Sequence, residues 1–307
     1  NDLIKTVATP KKVFGISCYG ATTLSNQKIG QHIKKSLTTQ EYSARFVTGK
    51  DEILNAAAVI HNDLITKGAE YLIVPHESRL ALGRTISVQD IEEWGKRDFA
   101  KPVRDSRRGM LPPKLARMMM HLSGAPIDGI ILDPFCGTGT VAMEAAVLGF
   151  NVIASDADPD AFTATKENLQ WLQNEYTLSH SPKILQADAR SIASRVKEKV
   201  DAIITEPFLG NEHPLTKPQR AEEIKKLLDL YTKSLNNWKK ILKSDGVVVM
   251  VVPSFIYYDE ILTVPLASML PALGYTLIEM SESLPNPLRY MREGQRVARE
   301  IYLLKKS

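Results

Sequence analysis

The stretch "ILDPFCGTGT", residues 131–140, constrains the fold of this chain more than any other feature. An apolar run ends in Asp-Pro and opens into a loop of small residues with glycines at positions 137 and 139. Such a pattern is typical of the turn between a parallel strand and a helix, where glycine lets the backbone approach a ligand closely. The sequence therefore predicts a ligand-binding turn near the middle of the chain.

The remaining pattern predicts an α/β protein of two domains. From residue 109 to residue 307, apolar β-rich runs alternate with helical patterns, which predicts a mostly parallel sheet covered by helices on both faces. Near the end of this part we expect a helix over residues 261–274, followed by strands. Residues 1–85 form a smaller alternating unit. Residues 86–108 are polar, charged and interrupted by Pro102, which predicts a linker.

Composition narrows the class of protein. The 307 residues are 44% hydrophobic and 24% charged, as expected of a globular chain. The sequence contains no run of roughly 20 apolar residues and no apolar signal-peptide core at its start, so we expect a cytoplasmic protein that binds no membrane. The only cysteines are Cys18 and Cys136, too few for a disulfide framework or a four-thiolate zinc site. The first residue is Asn1 rather than methionine, so we expect the N-terminal domain to be incomplete.

Two classes of cofactor compete for the glycine turn. Gly137, Gly139 and Ala142 satisfy the G-x-G-x-x-G/A pattern of a dinucleotide fold, and Asp156 follows 156 − 137 = 19 residues later, near the place of a ribose-binding carboxylate. Asp133, at the end of the preceding strand, discriminates between them. A carboxylate there repels a pyrophosphate but attracts the ammonium of S-adenosyl-L-methionine. The turn therefore favours S-adenosyl-L-methionine and disfavours a dinucleotide oxidoreductase.

Two further acidic residues follow the next predicted strands. Asp156 ends "NVIASD", where its carboxylate can accept both ribose hydroxyls, and Asp188 ends "ILQAD", where it can accept the adenine amino group. Because parallel strands present their carboxyl ends at one edge of the sheet, we expect Asp133, Asp156 and Asp188 to line one cofactor site.

At this point the sequence resembles the Rossmann-fold methyltransferases, and among them the tRNA guanosine N2-methyltransferase family that joins an N-terminal THUMP RNA-binding domain to such a catalytic domain. The segments that carry the resemblance are "VQDIEEWGKRDFAKPVRDSRRGMLPPKLARMMMHLSG", "ILDPFCGTGTVAMEAAVLG" and "SDADPDAFTATKENLQWL". The resemblance implies a Rossmann-like methyltransferase domain over residues 109–307, with a mostly parallel seven-stranded sheet and an antiparallel last strand. It also implies that residues 1–85 form a THUMP-like RNA-binding domain.

The resemblance extends to individual cofactor residues. It implies that Gly109, Met110 and Leu111 help to close the cofactor pocket and that Pro112 opens a helix, as proline at a first helical position does. Together with the glycine turn and the strand-end acids, the expected cofactor-binding residues are Met110, Leu111, Asp133, Pro134, Phe135, Cys136, Gly137, Thr138, Gly139, Thr140, Asp156, Ala157, Asp188, Ala189 and Glu206.

The fourth strand of the predicted methyltransferase sheet ends in the expected catalytic motif. Amino-methylating enzymes carry Asp or Asn there, followed by Pro-Pro and an aromatic residue, and transfer the methyl group by direct in-line attack without a metal. This chain reads "TEPFLG", with Glu206 in the polar position, Pro207 retained, Phe208 in place of the second proline and Leu209 in place of the aromatic residue. We expect Glu206, Pro207 and Phe208 to be catalytic.

The expected substrate is RNA, most plausibly tRNA methylated on guanosine N2, in agreement with a net charge of +4. The departure from the usual motif leaves two alternatives open, a catalytically impaired methyltransferase-like RNA-binding subunit and a DNA amino-methyltransferase. It also leaves open whether an activating protein subunit is needed. The residues expected to contact RNA phosphates are Arg104, Arg107, Arg108, Lys114 and Arg292.

Overall fold

The computed structural model describes residues 7, 10–20, 25–77, 79–104, 110–211, 215–258, 260–279, 285–292 and 294–307. The chain divides into two compact units, Asn1–Gly95 and Lys96–Ser307. In the part of the chain that the structure describes, no helix is both long enough and apolar enough to cross a membrane.

The N-terminal unit is a small α/β sheet, as the sequence predicts. Its strands lie in the order β2-β1-β3-β4, with β1 parallel to β2 and β3, and with β4 antiparallel to β3. The sequence analysis did not predict β4, whose residues are mostly exposed and give no hydrophobic alternation. The elements are β1 (Lys11–Cys18), α1 (Asn26–Thr39), β2 (Ser43–Val47), α2 (Ala56–His61), β3 (Ala69–His76) and β4 (Arg79–Arg84).

The segment predicted as a linker contains a helix. Helix α3 (Ile91–Phe99) follows Asp90, whose carboxylate accepts the amide hydrogens of Glu92 and Glu93 at 3.1 Å, a typical helix cap. After this helix, the backbone of Val103 exchanges two hydrogen bonds with the side-chain amide of Asn168, each 2.9 Å long. The polar sequence of the segment does not predict this helix, because Arg97 and Val103 are held by hydrogen bonds and an ion pair rather than by apolar packing.

The second unit contains one large sheet with the strand order β11-β13-β9-β8-β5-β6-β7. Strands β5 to β9 pair in parallel, whereas β13 is antiparallel to both β9 and β11. This order confirms the predicted seven-stranded, mostly parallel sheet with an antiparallel last strand. Two short strands, β10 and β12, extend it by pairing with β9 and β13.

As far as β9, the elements of the second unit follow the predicted alternation. Two single turns of 3₁₀ helix lie at Ile192–Ser194 and Ala267–Met269. The other elements are α4 (Pro113–Ser123), β5 (Ile130–Asp133), α5 (Thr140–Val147), β6 (Asn151–Asp156), α6 (Pro159–Glu175), β7 (Lys183–Gln186), β8 (Val200–Thr205), α7 (Lys217–Trp238), β9 (Leu242–Ile256), β10 (Ile261–Thr263), α8 (Leu270–Leu273), β11 (Tyr275–Leu277), β12 (Leu288–Tyr290) and β13 (Val297–Lys306).

The prediction of one helix over residues 261–274 is wrong. The structure has strand β10 there, then the second 3₁₀ turn and the four-residue helix α8. Pro265 and Pro271 interrupt the segment, and proline removes the amide hydrogen that an interior helical position needs. The β-branched residues Ile261 and Thr263 instead pair with β9.

The large sheet is buried on both faces. Along β9, Val248, Met250 and Val252 belong to a core cluster that includes Tyr231 and Trp238 of α7. The intervening Val249 and Val251 belong to a second cluster, formed with helices α4, α5 and α6. The two apolar cores cover the two faces of the sheet, and the parallel pairing leaves the carboxyl ends of β5, β6 and β8 at a common edge.

Candidate active site

The predicted glycine turn connects β5 to α5 and needs its glycines. Gly137 and Gly139 have φ angles of 55° and 85°, in the left-handed region that favours glycine. A Cβ atom on Gly139 would lie 3.2 Å from the side chain of Thr165, whereas a Cβ atom on Gly137 would meet no atom within 4 Å. The backbone of the turn thus packs closely on helix α6 at Gly139 and borders open space at Gly137.

Asp133 ends β5 beneath this turn and is 2% exposed. Its carboxylate accepts hydrogen bonds from the hydroxyl of Thr205 at 2.7 Å and from the amide of Phe135 at 3.2 Å. These donors are neutral, so they do not balance the negative charge. Burial raises the pKa of Asp133 to about 7, and the charges of Asp156 and Glu206 add to the rise. A bound cation would balance the negative charge of the Asp133 carboxylate, and the ammonium of S-adenosyl-L-methionine is such a cation.

Asp156 ends β6, next to β5, and holds the turn as well as bordering the site. Its two carboxylate oxygens accept the amide hydrogens of Gly137 and Asp158, each at 3.0 Å. From the sequence we expect Asp156 to bind the ribose. Its hydrogen bonds to the backbone of the glycine turn were not predicted. Each carboxylate oxygen has a second acceptor position, so the predicted contact with ribose hydroxyls fits the same geometry.

Asp188 follows β7 and is bound by a residue that the sequence analysis did not single out. Arg190 donates to it from Nη2 at 2.5 Å and from Nε at 3.0 Å, and its backbone amide adds a third bond at 2.8 Å. These hydrogen bonds lower the pKa of Asp188. The contact with the adenine amino group stays a prediction. The local sequence "DAR" contains both partners, but their spacing alone does not predict a bidentate pair.

The other residues of the turn have mainly structural contacts. Phe135 packs edge-on against Trp238, with ring centroids 6.3 Å apart. The thiol of Cys136 is buried, which raises its pKa, so it is not a reactive nucleophile. The carbonyl of Thr138 accepts from Asn168 at 2.8 Å, and the hydroxyl of Thr140 accepts from Lys101 at 3.1 Å.

The remaining predicted cofactor residues differ in exposure. Pro134, Leu111 and Ala189 are buried, Met110 is half-buried and Ala157 is exposed. The carbonyl of Ala189 accepts a hydrogen bond from the indole of Trp238 at 3.0 Å. Gly109 lies outside the described residues.

The motif "TEPFLG" follows β8 at the same edge of the sheet. Glu206 forms an ion pair with Arg299 of β13, in which Nε lies 2.5 Å from Oε2 and Nη2 lies 3.2 Å from Oε1. Pro207 is buried, whereas Phe208 is 55% exposed and its carbonyl accepts the hydroxyl of Tyr231 at 2.7 Å. The motif therefore presents an aromatic ring to solvent beside a buried carboxylate. In the sequence Arg299 is one of several basic residues suited to phosphates, and its pairing with Glu206 is not predicted.

The basic residues predicted to contact RNA have varied surroundings. Arg104, Lys114 and Arg292 are exposed. The guanidinium of Arg104 lies 5.2 Å from the ring centre of Phe99, and Arg292 donates to the hydroxyl of Tyr290 at 3.0 Å. Arg107 and Arg108 lie outside the described residues. Their contacts with RNA phosphates stay predictions.

A mostly parallel sheet with an antiparallel last strand, a glycine turn after its first strand and a carboxylate at the end of each neighbouring strand define a Rossmann-like methyltransferase domain. A family model described as the RMKL-like, methyltransferase domain matches residues 102–262, more than half of the chain. The chain belongs to this family. The resemblance inferred from the sequence and the prediction of S-adenosyl-L-methionine as cofactor are thereby confirmed.

Curated relatives are similar to more than half of the chain. A tRNA (guanine(10)-N2)-dimethyltransferase of Methanothermobacter thermautotrophicus is 33% identical over 189 residues, which cover 60% of this chain and 50% of the relative. A protein of the same name from Methanocaldococcus jannaschii is 30% identical over 188 residues, covering 58% of this chain and 49% of the relative. The chain spans about half the length of these relatives.

Similarity to a solved structure extends over nearly the whole chain. The crystal structure of TrmN from Thermus thermophilus matches 97% of this chain and 72% of its own, with a TM-score of 0.50 and 19% identity. At this identity the match concerns the fold alone, and it includes the small N-terminal sheet as well as the methyltransferase sheet.

Proposed function

We propose that this protein transfers a methyl group from S-adenosyl-L-methionine to the exocyclic N2 amine of a guanosine in tRNA. The observation that carries the proposal is the placement of three carboxylates, Asp133, Asp156 and Glu206, at the carboxyl ends of the neighbouring strands β5, β6 and β8 beside the glycine turn. Family membership and the names of the relatives, which are tRNA guanine-N2 methyltransferases, support the choice of substrate.

Each site residue has a proposed task. Asp133 binds the amino-acid end of the cofactor, Asp156 the ribose and Asp188 the adenine, while the open space beside Gly137 receives the ligand backbone. Bound S-adenosyl-L-methionine supplies an electrophilic methyl group. Glu206 accepts a hydrogen bond from the target amine, and the exposed ring of Phe208 stacks on the base. Such positioning accounts for much of the acceleration of an in-line transfer.

The proposal extends to the rest of the chain. Residues 1–85 serve as a THUMP-like RNA-binding domain, and residues 86–108 connect it to the methyltransferase domain over residues 109–307. The match with TrmN supports this arrangement at the level of the fold. A target base must be unpaired or flipped out of its stack to reach the site, which makes a tRNA loop or bulge a suitable substrate. We place the reaction in the cytoplasm.

Mass spectrometry of nucleosides tests the proposed reaction. In separate reactions, the protein and a labelled methyl donor are incubated with total tRNA, with ribosomal RNA or with DNA. Each reaction is run with and without cell extract. We expect labelled N2-methylguanosine from tRNA. Labelled N6-methyladenine or N4-methylcytosine from DNA would favour the DNA amino-methyltransferase. No label from any substrate would replace the proposal with a catalytically impaired RNA-binding subunit, and label only with extract would indicate an activating partner.

Substitutions in "TEPFLG" test the assignment of the catalytic residues. Glu206→Ala and Phe208→Ala should each abolish transfer, yet change cofactor affinity by no more than about threefold, because contacts made to the target base are absent from the cofactor complex. Tyr258→Ala serves as the control, since this ring is fully exposed and lies outside the motif. Retained transfer in either motif variant, measured as incorporated label, would contradict the assignment.

A further inference from the structure

The ion pair between Glu206 and Arg299 joins the catalytic motif to the antiparallel last strand. Both side chains are buried, with 13% of Glu206 and 7% of Arg299 exposed. Two nitrogen atoms of Arg299 donate to the two carboxylate oxygens, which is the bidentate geometry that fixes both the position and the plane of a carboxylate. Arg299 thus determines where the carboxylate of Glu206 lies.

Stability alone does not explain this pair. Removing two charges from water costs several kcal/mol per ion, and a buried ion pair is often no more stabilising than apolar residues of the same volume. The pair also stands at the end of β8, where the substrate amine is expected, rather than deep in either core. These features point to a role in the reaction.

We propose that Arg299 is a positioning residue of the methyl-transfer site, which orients the Glu206 carboxylate and determines when it can take a proton from the target amine. This inference rests on the proposed function. An ionised carboxylate offers about four acceptor positions, of which Arg299 takes two, so acceptor positions remain for a substrate amine.

The proton balance of the reaction requires such an acceptor. The lone pair of the exocyclic amine forms the new bond to the methyl carbon, while the bond from that carbon to sulfur breaks and leaves its electron pair on sulfur. The amine nitrogen then carries one proton too many. Glu206 accepts this proton at a carboxylate oxygen and becomes a neutral carboxylic acid, so the carboxylate must be ionised before transfer.

Charges around Glu206 act on it in opposite directions. Burial raises the pKa of Glu206, and the adjacent guanidinium of Arg299 lowers it. Asp133 faces Glu206 from β5, and Tyr231 faces it from α7; Asp133 is an acid whose own pKa is raised in part by Glu206. Arg299 is the positive group that opposes the effect of burial, so its loss should raise the pKa of Glu206 further.

The test compares Arg299→Gln, Arg299→Lys and the matched control Arg289→Gln. Arg289 is one residue from Tyr290, the register partner of Arg299, and pairs with Glu300 at 2.7 Å on the same hairpin. Carbon-13 NMR of glutamate carboxyl groups, with the Glu206 signal assigned by its loss in Glu206→Gln, gives the titration midpoint in protein without substrate. The acid limb of the pH dependence of kcat gives the same quantity during catalysis.

We expect Arg299→Gln to move both the midpoint and the acid limb upward by about one to three pH units, as the loss of an adjacent opposite charge does. Arg299→Lys should keep the midpoint closer to that of the wild type but lower kcat at least tenfold, because an ammonium cannot reproduce the bidentate fork. Arg289→Gln should move neither. In all three variants the dissociation constant of S-adenosyl-L-methionine should stay within about threefold.

Other outcomes overturn the inference. If Arg299→Gln loses stability while the Glu206 midpoint stays in place, Arg299 is only structural. If Arg299→Lys matches the wild type in the Glu206 titration midpoint and in kcat, the bidentate guanidinium contact does not position the carboxylate. The lysine variant alone tests the inference if Arg299→Gln does not fold. Absence of methyl transfer by the wild type would refute the proposed function instead, and the NMR titration would still show whether Arg299 controls the protonation of Glu206.

Discussion

At the scale of one residue, the proposed contact of Asp133 with the cofactor predicts a linkage between cofactor binding and protonation. Its carboxylate is almost fully buried, and the two neighbouring carboxylates of Asp156 and Glu206 oppose its ionisation. A bound cation reverses this balance, because an opposite charge within about 4–6 Å favours the ionised form. If Asp133 binds the ammonium as proposed, part of the binding free energy of the cofactor should be used to remove a proton from Asp133 at neutral pH.

This proton linkage predicts a pH-dependent affinity for the cofactor. Because the pKa of Asp133 is raised to about 7, the residue is mostly neutral below that pH and cannot attract the ammonium of S-adenosyl-L-methionine. The dissociation constant should rise about tenfold for each pH unit below 7 and level off above it. Calorimetry between pH 5.5 and 8.5 measures the effect.

The control ligand is 5′-methylthioadenosine, which has no amino-acid end and should bind without this dependence. Asp133→Asn should bind S-adenosyl-L-methionine weakly at every pH in the range. A dissociation constant for the wild type that is the same at pH 5.5 and pH 8 would show that Asp133 does not bind the ammonium.

How well a residue could be predicted depended on how local its contacts are. Asp133, Gly137 and Gly139 were predicted because a strand-turn-helix connection imposes their chemistry within a few positions. The pairing of Arg299 with Glu206 was not predicted because the two are 93 residues apart in the chain and meet only through the pairing of β8, β9 and β13. The pairing of Arg190 with Asp188 was not predicted for another reason, since an arginine two residues from an aspartate usually faces solvent.

At the scale of elements, Glu144 holds three helices of the second unit together. It lies on α5, is 1% exposed, and its carboxylate lies 2.6 Å from Nε of Arg97 on α3 and 2.8 Å from Nη2 of Arg117 on α4. The hydroxyl of Tyr176 also accepts from Arg97, at 3.3 Å. This cluster fixes the end of α3 beside the helix that follows the glycine turn.

Removal of this buried carboxylate should be costly. Glu144→Ala removes the carboxylate that balances the buried charge of Arg97, which we expect to lower the free energy of unfolding by about 3–5 kcal/mol. Glu175→Ala is the control, because its ion pair with Lys96 is more than one-third exposed on both sides and should contribute less than about 1 kcal/mol. Urea denaturation followed by circular dichroism measures both, and equal losses in the two variants would contradict this role of Glu144.

Elements were predicted where apolar periodicity decided their structure. The parallel strands and helices of the second unit are such cases, since each buries a regular apolar face in one of the two cores. Helix α3 was missed because it buries Arg97 rather than an apolar stripe. The helix over residues 261–274 was wrong because its apolar residues matched a helical period while Pro265 and Pro271 prevented a continuous helix.

At the scale of the whole molecule, positive and negative charges nearly balance, with 39 Lys and Arg against 35 Asp and Glu. The net charge is only +4, so a general attraction to nucleic acid is weak. The exposed cations Arg104, Lys114 and Arg292 of the second unit are therefore expected to act as individual phosphate contacts rather than as part of a uniform field. Phe99, under the guanidinium of Arg104, restricts the directions that this guanidinium can take.

Phosphate contacts of this kind predict how binding of tRNA depends on salt. The logarithm of the affinity should fall linearly with the logarithm of salt concentration, with a slope of roughly 0.7–0.9 for each phosphate neutralised. Arg104→Ala should weaken the binding of all tRNA sequences alike. It should also reduce the slope by the amount that corresponds to about one phosphate contact. Fluorescence anisotropy of labelled tRNA at several salt concentrations measures the slope. Lys183→Ala is the control, because this exposed lysine pairs with Glu198 and lies at the start of β7, away from the edge of the sheet that carries the candidate site, so it should leave the slope unchanged. An affinity that does not vary with salt, or an equal change in both variants, would refute the assignment of Arg104 to a phosphate.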